Sequence, residues 1–229
     1  MRMENVFQRI SAEVDDYDII VIGHLKWNRY FGEHQNNPPR GDPSTCTSTL
    51  VRGAQRDGTP FRLLVDPTLR HTPADFYFDL NRRTGLRETD ITHCFCTHQH
   101  ADHCKAMNYF PAAEWLAAPA TVRELQNGSN VDASRVRAVQ GEFFDGVFAV
   151  ALPGHTNSLH GVAFVHGGKR VVVAGDSVMT KHHYRDETTE YTKDPDTAAQ
   201  TIRWLKAQAD IVIAGHDGMI VNWPARRGT

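Results

Sequence analysis

Five short apolar runs in this chain each stop at a histidine or an aspartate. Asp66 follows "LLV", His98 follows "CFCT", His155 follows "VALPG", Asp176 follows "VVVAG" and His216 follows "IVIAG". Short runs rich in β-branched residues and bounded by Gly, Pro or Asp read as buried strands. Side chains distant in sequence meet where strand ends share one edge of a sheet. The small residues Gly154, Gly175 and Gly215 let backbones approach closely there. A fold that gathers these strand ends on one edge is therefore the first expectation.

The remaining signals fix the order of elements. "YDIIVI" at 17–22, "TCTSTLV" at 45–51 and "FRLLVD" at 61–66 read as strands, as does "DITHCFCT" at 90–97. Thr72, Pro73 and Gly85 are an N-cap, a first helical residue and a stop for a helix between them. "HCKAMNYF" starts a helix, "EWLAAP" is a strand and "ATVRELQN" is a short helix stopped by Gly128. "LHGVAFVHGGKRVVVAGDS" reads as a hairpin about Gly167–Gly168. Asp194 caps a final helix that Pro195 opens, with Ala198, Ile202, Leu205 and Ala209 on one face. Two strand-rich halves, each with helices, fit an α/β protein with helices outside stacked sheets. The hairpin argues against regular βαβ alternation. Two polar segments, 23–44 and 177–194, read as loops. The first mixes Trp27, Tyr30 and Phe31 with charges and reads as a pocket wall or a homodimer contact.

Bulk properties narrow the class. The 229 residues suit one domain spanning 1–229, and 40% hydrophobic with 23% charged residues is an ordinary globular composition. The net charge of −2 gives no global field toward nucleic acid or an anionic membrane, so neither is an expected partner. The charged first residues contain no apolar run of signal length, and no segment reaches the roughly 18 apolar residues of a span. A cytoplasmic location and a small-molecule substrate are expected. Of four cysteines, Cys46, Cys94, Cys96 and Cys104, three crowd one short region, unlike a secreted disulfide framework. Cys94 and Cys96 alternate about Phe95 and share a strand face as small hydrophobes, while the role of Cys104 stays open.

The densest chemistry lies in "FCTHQHADHC" at 95–104. Alone, it is also compatible with a solvated turn, and Gly-Asp-Ser at Asp176 is ordinary turn chemistry. The later strand-end residues alter the balance. His98, His100, His103, His155 and His216 with Asp102 and Asp176 make five imidazoles and two carboxylates. Borderline and hard divalent metals take such ligands. The count exceeds one tetrahedral site and matches two metals sharing a carboxylate. His24, His34, His71, His93, His160 and His166 read as surface or satisfied polar groups.

"THQHADH" resembles the HxHxDH signature of the metallo-β-lactamase superfamily, and "LLVDP", "LPGHTNS", "AGDS" and "IAGHD" occur in that family's order. The resemblance implies a four-layer αββα sandwich of two mixed sheets, with helices on the outer faces and the site between the sheet edges. It implies that His98, His100 and His155 hold one metal, that Asp102, His103 and His216 hold the other, and that Asp176 bridges them. Asp66 would orient ligands by hydrogen bonds. Two divalent ions are implied, zinc first, with manganese, iron or cobalt as alternatives. The implied enzyme is a metal-dependent hydrolase in which hydroxide formed between the metals attacks an ester, lactone or thioester carbonyl, and Asp102 or Asp176 takes a proton. An iron-dependent oxidoreductase or a phosphodiesterase on the same ligands is the alternative. The segment from Asp176 to Asp217 is most similar to the acyl-homoserine lactonase branch. That branch polarises its lactone with a tyrosine where this chain has Met179; Tyr184, His182 or His183 is the expected substitute, with Tyr184 and His182 counted as catalytic.

Overall fold

The computed structural model describes residues 5–33, 44–128 and 130–222. Histidine 34, and with it 34–43 of the 23–44 loop, lies outside the described residues. Among the described residues, twelve strands form two six-stranded sheets, and each half of the chain builds one. The first contains β1 (Asp16–Val21), β2 (Ser48–Ala54), β3 (Pro60–Val65), β4 (His93–Cys96), β5 (Glu114–Ala117) and β6 (Val136–Ala138), in that spatial order. The second contains β7 (Gly141–Phe144), β8 (Val147–Ala151), β9 (His160–His166), β10 (Lys169–Gly175), β11 (Ile211–Ala214) and β12 (Met219–Val221). The α-helices are α1 (Pro73–Thr84), α2 (Ala101–Cys104), α3 (Pro119–Leu125), α4 (Lys181–Asp186) and α5 (Pro195–Gln208).

Both sheets are mixed, and their parallel pairs explain the strand-end pattern. Strand β3 runs parallel to β4, and β10 runs parallel to β11. Parallel neighbours end at the same edge, which brings Asp66 beside His98 and Asp176 beside His216. Strand β8 is antiparallel to β9, and β9 to β10, so β8 also delivers its end, and His155 beyond it, to this edge. Backbone bonds join the two edges: the Thr47 N–H donates to the Gly215 carbonyl (2.6 Å) and that of His160 to the Thr97 carbonyl (3.0 Å).

Alternation along the strands sorts three apolar layers. Leu63, Val65 and Phe95 face Val162, Phe164, Val171, Val173 and Ile213 between the sheets. Leu64, Cys94, Cys96 and Trp115 pack outward on Phe76 and Leu80 of α1, with Met107 and Phe110. On the other side Val172, Ala174 and Val212 meet Ile202 and Leu205 of α5, and Tyr184 of α4. Three apolar layers separate four structural layers, helix, sheet, sheet, helix, as expected. Each large apolar side chain so buried contributes about 1.5–3 kcal/mol. Cys94 and Cys96 share the outward face of β4 as the period of two requires.

The helix caps follow the sequence. Thr72 and Asp75 form a capping box on α1, and Gly85 closes the helix at φ 73°. Asp194 accepts from the Thr197 N–H at the start of α5. The helix begun at "HCKAMNYF" is a single α-turn, α2, continued by a 3-10 helix over Lys105–Tyr109. The segment 177–194, expected as a loop, contains the six-residue helix α4, capped by Thr180. The run at 45–51 enters its strand only at Ser48, because Thr45 pairs with His24 as an isolated bridge. Among the described residues, no helix is long and apolar enough to cross a membrane.

Candidate metal centre

The structure brings all seven sequence-expected ligands together. Ligand atoms of His98, His100, His155 and Asp176 lie within 4.8 Å of one another, as do those of Asp102, His103 and His216. Asp176 joins the two groups. Its Oδ2 lies 3.4 Å from His155 Nε2 and 3.8 Å from His98 Nε2. Its Oδ1 lies 3.0 Å from His103 Nε2 and 3.2 Å from His216 Nε2. Asp102 Oδ2 approaches His216 Nε2 at 3.6 Å and His103 Nε2 at 3.9 Å. In the first group the Nε2 atoms of His98 and His155 each lie 3.0 Å from His100 Nδ1.

Hydrogen bonds fix which nitrogen faces the centre. His155 Nδ1 donates to the Glu190 carbonyl (3.2 Å) and His216 Nδ1 to the Thr45 carbonyl (3.0 Å). His103 Nδ1 donates to Asp66 Oδ2 (2.8 Å). Thr97 Oγ1 donates to that same oxygen (2.8 Å), and so accepts from His98 Nδ1 (3.1 Å). One buried carboxylate, Asp66, thus holds a histidine from each group. The Thr97 N–H fixes its other oxygen at 2.7 Å. Asp66 adopts a left-handed backbone, φ 49°, which turns the chain sharply at the end of β3.

A metal fits this donor set. His103 Nε2 and Asp176 Oδ1 are buried side-chain atoms without a hydrogen-bond partner. Such atoms are costly unless something satisfies them, and both converge on the space between the groups. Burial pushes the pKa of His98 well below the imidazole range, and lowers those of His100 and His155, which keeps lone pairs free for a cation. Burial opposes charge on His103 and His216 as well, but the Asp176 carboxylate outweighs it and raises both. Asp176 responds in kind: burial raises it, His216 and His103 lower it further, and its carboxyl lies well below the usual range. Gly215 is required at the end of β11, where a Cβ would collide with Asp176 Oδ1 and the Gly175 backbone.

The centre opens into a cavity of about 380 Å³ lined by Leu25, Ser44, Leu69, Met179 and Tyr191, together with His100, Ala101, Asp102, His155, Asp176 and His216. Here two expectations are corrected. Tyr184 belongs to the outer core, where its hydroxyl donates to Asn222 (2.9 Å), and it does not line the cavity. The amphipathic turn of α4 points it inward onto α5. His182 stacks on Tyr30 (centroids 5.1 Å) beside Phe31 and is likewise absent from the lining. His183, the third expected substitute, is buried between Thr180 and Glu190. The sequence reading missed Tyr191, Leu25, Leu69 and Ser44. Leu25, Ser44 and Tyr191 lie within the two polar segments, which alone could have suggested them, while Leu69, three residues after Asp66, carried no such signal.

Three of the other histidines satisfy ordinary contacts: His93 meets Glu114, His160 the Ser158 carbonyl and His166 the Val14 carbonyl. All four cysteines are buried and unbonded to one another. Burial pushes the Cys104 thiol up to about 12 and Cys46 to about 11. Such neutral thiols pack as small hydrophobes; Cys104 Sγ donates to the Gln99 carbonyl and Cys46 Sγ to that of Asp102.

Known proteins are similar to this chain in sequence and in fold. The family model described as the metallo-beta-lactamase superfamily matches residues 41–216. Metallo-beta-lactamase domain-containing protein 1 of Xenopus laevis is 31% identical over 174 residues, which are 73% of this chain and 69% of the relative. A putative metallo-beta-lactamase from Thermotoga maritima superposes with a TM-score of 0.67 at 18% identity, over 92% of this chain and 100% of the other. A mutant of AiiA from B. thuringiensis with N-decanoyl-L-homoserine bound at its active site gives 0.66 at 16% identity, over 90% and 94%. The chain belongs to the metallo-β-lactamase superfamily, whose members are generally metal-dependent hydrolases.

Proposed function

We propose that this chain is a dinuclear metal-dependent hydrolase acting on the carbonyl of a carboxylic ester, lactone or thioester. The observation that carries this reading is Asp176, whose two oxygens address the two histidine groups separately. His98, His100 and His155 would hold one ion, Asp102, His103 and His216 the other, and Asp176 both. Two divalent ions, zinc first, would supply water ionised near neutral pH and a Lewis acid for the developing oxyanion. The chain's own residues do the rest. Asp66 holds His98 and His103 in place, and the carbonyls of Glu190 and Thr45 hold His155 and His216. Both oxygens of Asp176 face the histidines of the two groups. Asp102, with 23% of its side chain exposed in the cavity, is the better placed carboxylate to take a proton during turnover and return it to the leaving group.

The lining favours a neutral carbonyl compound over a phosphodiester. Among the described residues around the cavity there is no Lys or Arg to neutralise a phosphate, and Leu25, Leu69, Met179 and Tyr191 are apolar or aromatic. The N-decanoyl-L-homoserine bound by the B. thuringiensis relative suits the same reading. The test is a hydrolysis panel of lactones, thioesters, aryl esters and phosphodiesters on protein of known metal content. About two ions per chain and turnover confined to the carbonyl substrates are expected. One iron per chain with oxygen uptake, or turnover of phosphodiesters alone, would overturn the reading.

A further inference from the structure

The rim of the cavity is built by a segment in which the hydrolytic chemistry uses only the Glu190 carbonyl that holds His155. Residues 187–192 lead from α4 toward the Asp194 cap of α5. Among the described residues, four that are not glycine have left-handed backbone, and two lie here: Glu187 at φ 54° and Tyr191 at φ 52°. A tyrosine keeps such a conformation only where its surroundings impose it. The surroundings are specific. The Glu187 carboxylate is paired with Arg203 (2.6 Å) and Lys206 (2.9 Å) of α5. Thr189 Oγ1 donates to the Asp176 carbonyl (3.2 Å). On one side of Tyr191, Glu190 Oε1 meets His183 Nε2 and Arg29 Nε, both at 3.2 Å. On the other, Thr192 Oγ1 donates to the Gly154 carbonyl (2.5 Å).

Both neighbours of Tyr191 are therefore fastened, and the tyrosine between them is 65% exposed while lining the cavity. It is an aromatic side chain held at the mouth against conformational preference. Together with Leu25, Leu69 and Met179 it makes up the large apolar part of the lining.

We propose that Tyr191 is the substrate-selecting residue of this cavity, favouring substrates whose acyl part carries an extended apolar chain. The proposal deepens the hydrolase reading above, but the contact itself can be tested without turnover. The variant Tyr191→Gly removes the ring and suits the left-handed backbone, so the segment keeps its path; Tyr191→Phe retains the ring. The probes are octanoate and acetate, titrated calorimetrically into metal-loaded protein, and aryl octanoate and aryl acetate esters. Tyr191→Gly is expected to weaken octanoate binding about tenfold and to raise KM for the octanoyl ester comparably, the scale of one lost apolar contact. Acetate and the acetyl ester should change less than twofold, with metal content unchanged, and Tyr191→Phe should resemble the wild type. Octanoate that binds the wild type no better than acetate, equal weakening of both acids, or metal loss in Tyr191→Gly would overturn the proposal. Wild-type protein that binds octanoate through Tyr191 yet hydrolyses no ester would remove the hydrolase reading and leave the assignment of Tyr191 standing.

Discussion

The floor of the cavity and its rim are secured by different forces. On the floor, ligands come directly after the ends of β4, β10 and β11, so sheet register and close backbone approach set their positions. Their orienting partners are buried: Asp66 is 1% exposed and His103 fully enclosed. The rim, residues 187–192 with Arg29 and Tyr30, is fastened mainly by side chains. Several of its ties are ion pairs with partly exposed partners, as in Arg203 with Glu187, and each such pair contributes only about 0–1 kcal/mol. A floor set by backbone and a rim set by side chains lets substrate preference change without disturbing the chemistry beneath.

Substitutions on the floor should strike both groups of ligands at once. Asp176→Ala is expected to lose at least one metal per chain and nearly all hydrolysis, by a factor of about 10³ or more, because one carboxylate serves both groups. Elemental analysis beside turnover checks it, and an active variant retaining two metals would end the bridging assignment. Asp66→Ala comes next. It removes the acceptor for His103 and, through Thr97, for His98. Metal affinity should fall about 10–100-fold, the usual cost of losing such a partner. Competition with a chelator should show both ions loosened. Loosening of one alone would mean that Thr97 orients His98 unaided.

The same contrast explains why the floor was legible and the rim was not. A strand announces itself by a run of apolar residues, and the residue just past the run sits at the sheet edge whatever the details. Once β3, β4, β10 and β11 were read, the convergence of Asp66, His98, Asp176 and His216 required only that their sheets stack. The caps Thr72 and Asp194 were equally local signals. Helix α4 is too short for a periodic signal, and its stability comes from packing Tyr184 and His183 inward rather than from propensity. Position alone therefore made Tyr184 and His182 candidates for the cavity, while the neighbouring turn, with its left-handed Tyr191, carried no mark in the sequence. The short strands β6, β7 and β12 escaped notice for the same reason.

Rim substitutions should act more gently. Glu190→Ala leaves the carbonyl that holds His155 but removes the carboxylate shared by His183 and Arg29. His183 is fully buried, and an imidazole nitrogen stripped of its partner costs about 1–3 kcal/mol. For a chain of this size that is a few degrees of Tm per kcal/mol. Metal content should be unchanged and KM should rise by a small factor, about two to five. Loss of metal would mean that the Glu190 side chain, through its own backbone, governs His155, and the separation of floor from rim would fail.

The smallest effect is expected behind the rim, at Tyr184. Tyr184→Phe deletes a hydroxyl whose partner is Asn222, while the ring stays packed between α4 and α5. One hydrogen bond of this kind is worth about 0.5–1.5 kcal/mol, and Asn222 keeps its other bond, from Nδ2 to the Ala209 carbonyl. A slightly lower Tm with kcat and KM unaltered is the result that fits the structure. A fall in kcat with Tm and metal content unchanged would place the phenol in the reaction after all, which requires α4 to swing its inner face into the cavity. The rim would then be a moving part of the catalytic machinery rather than a wall beside it.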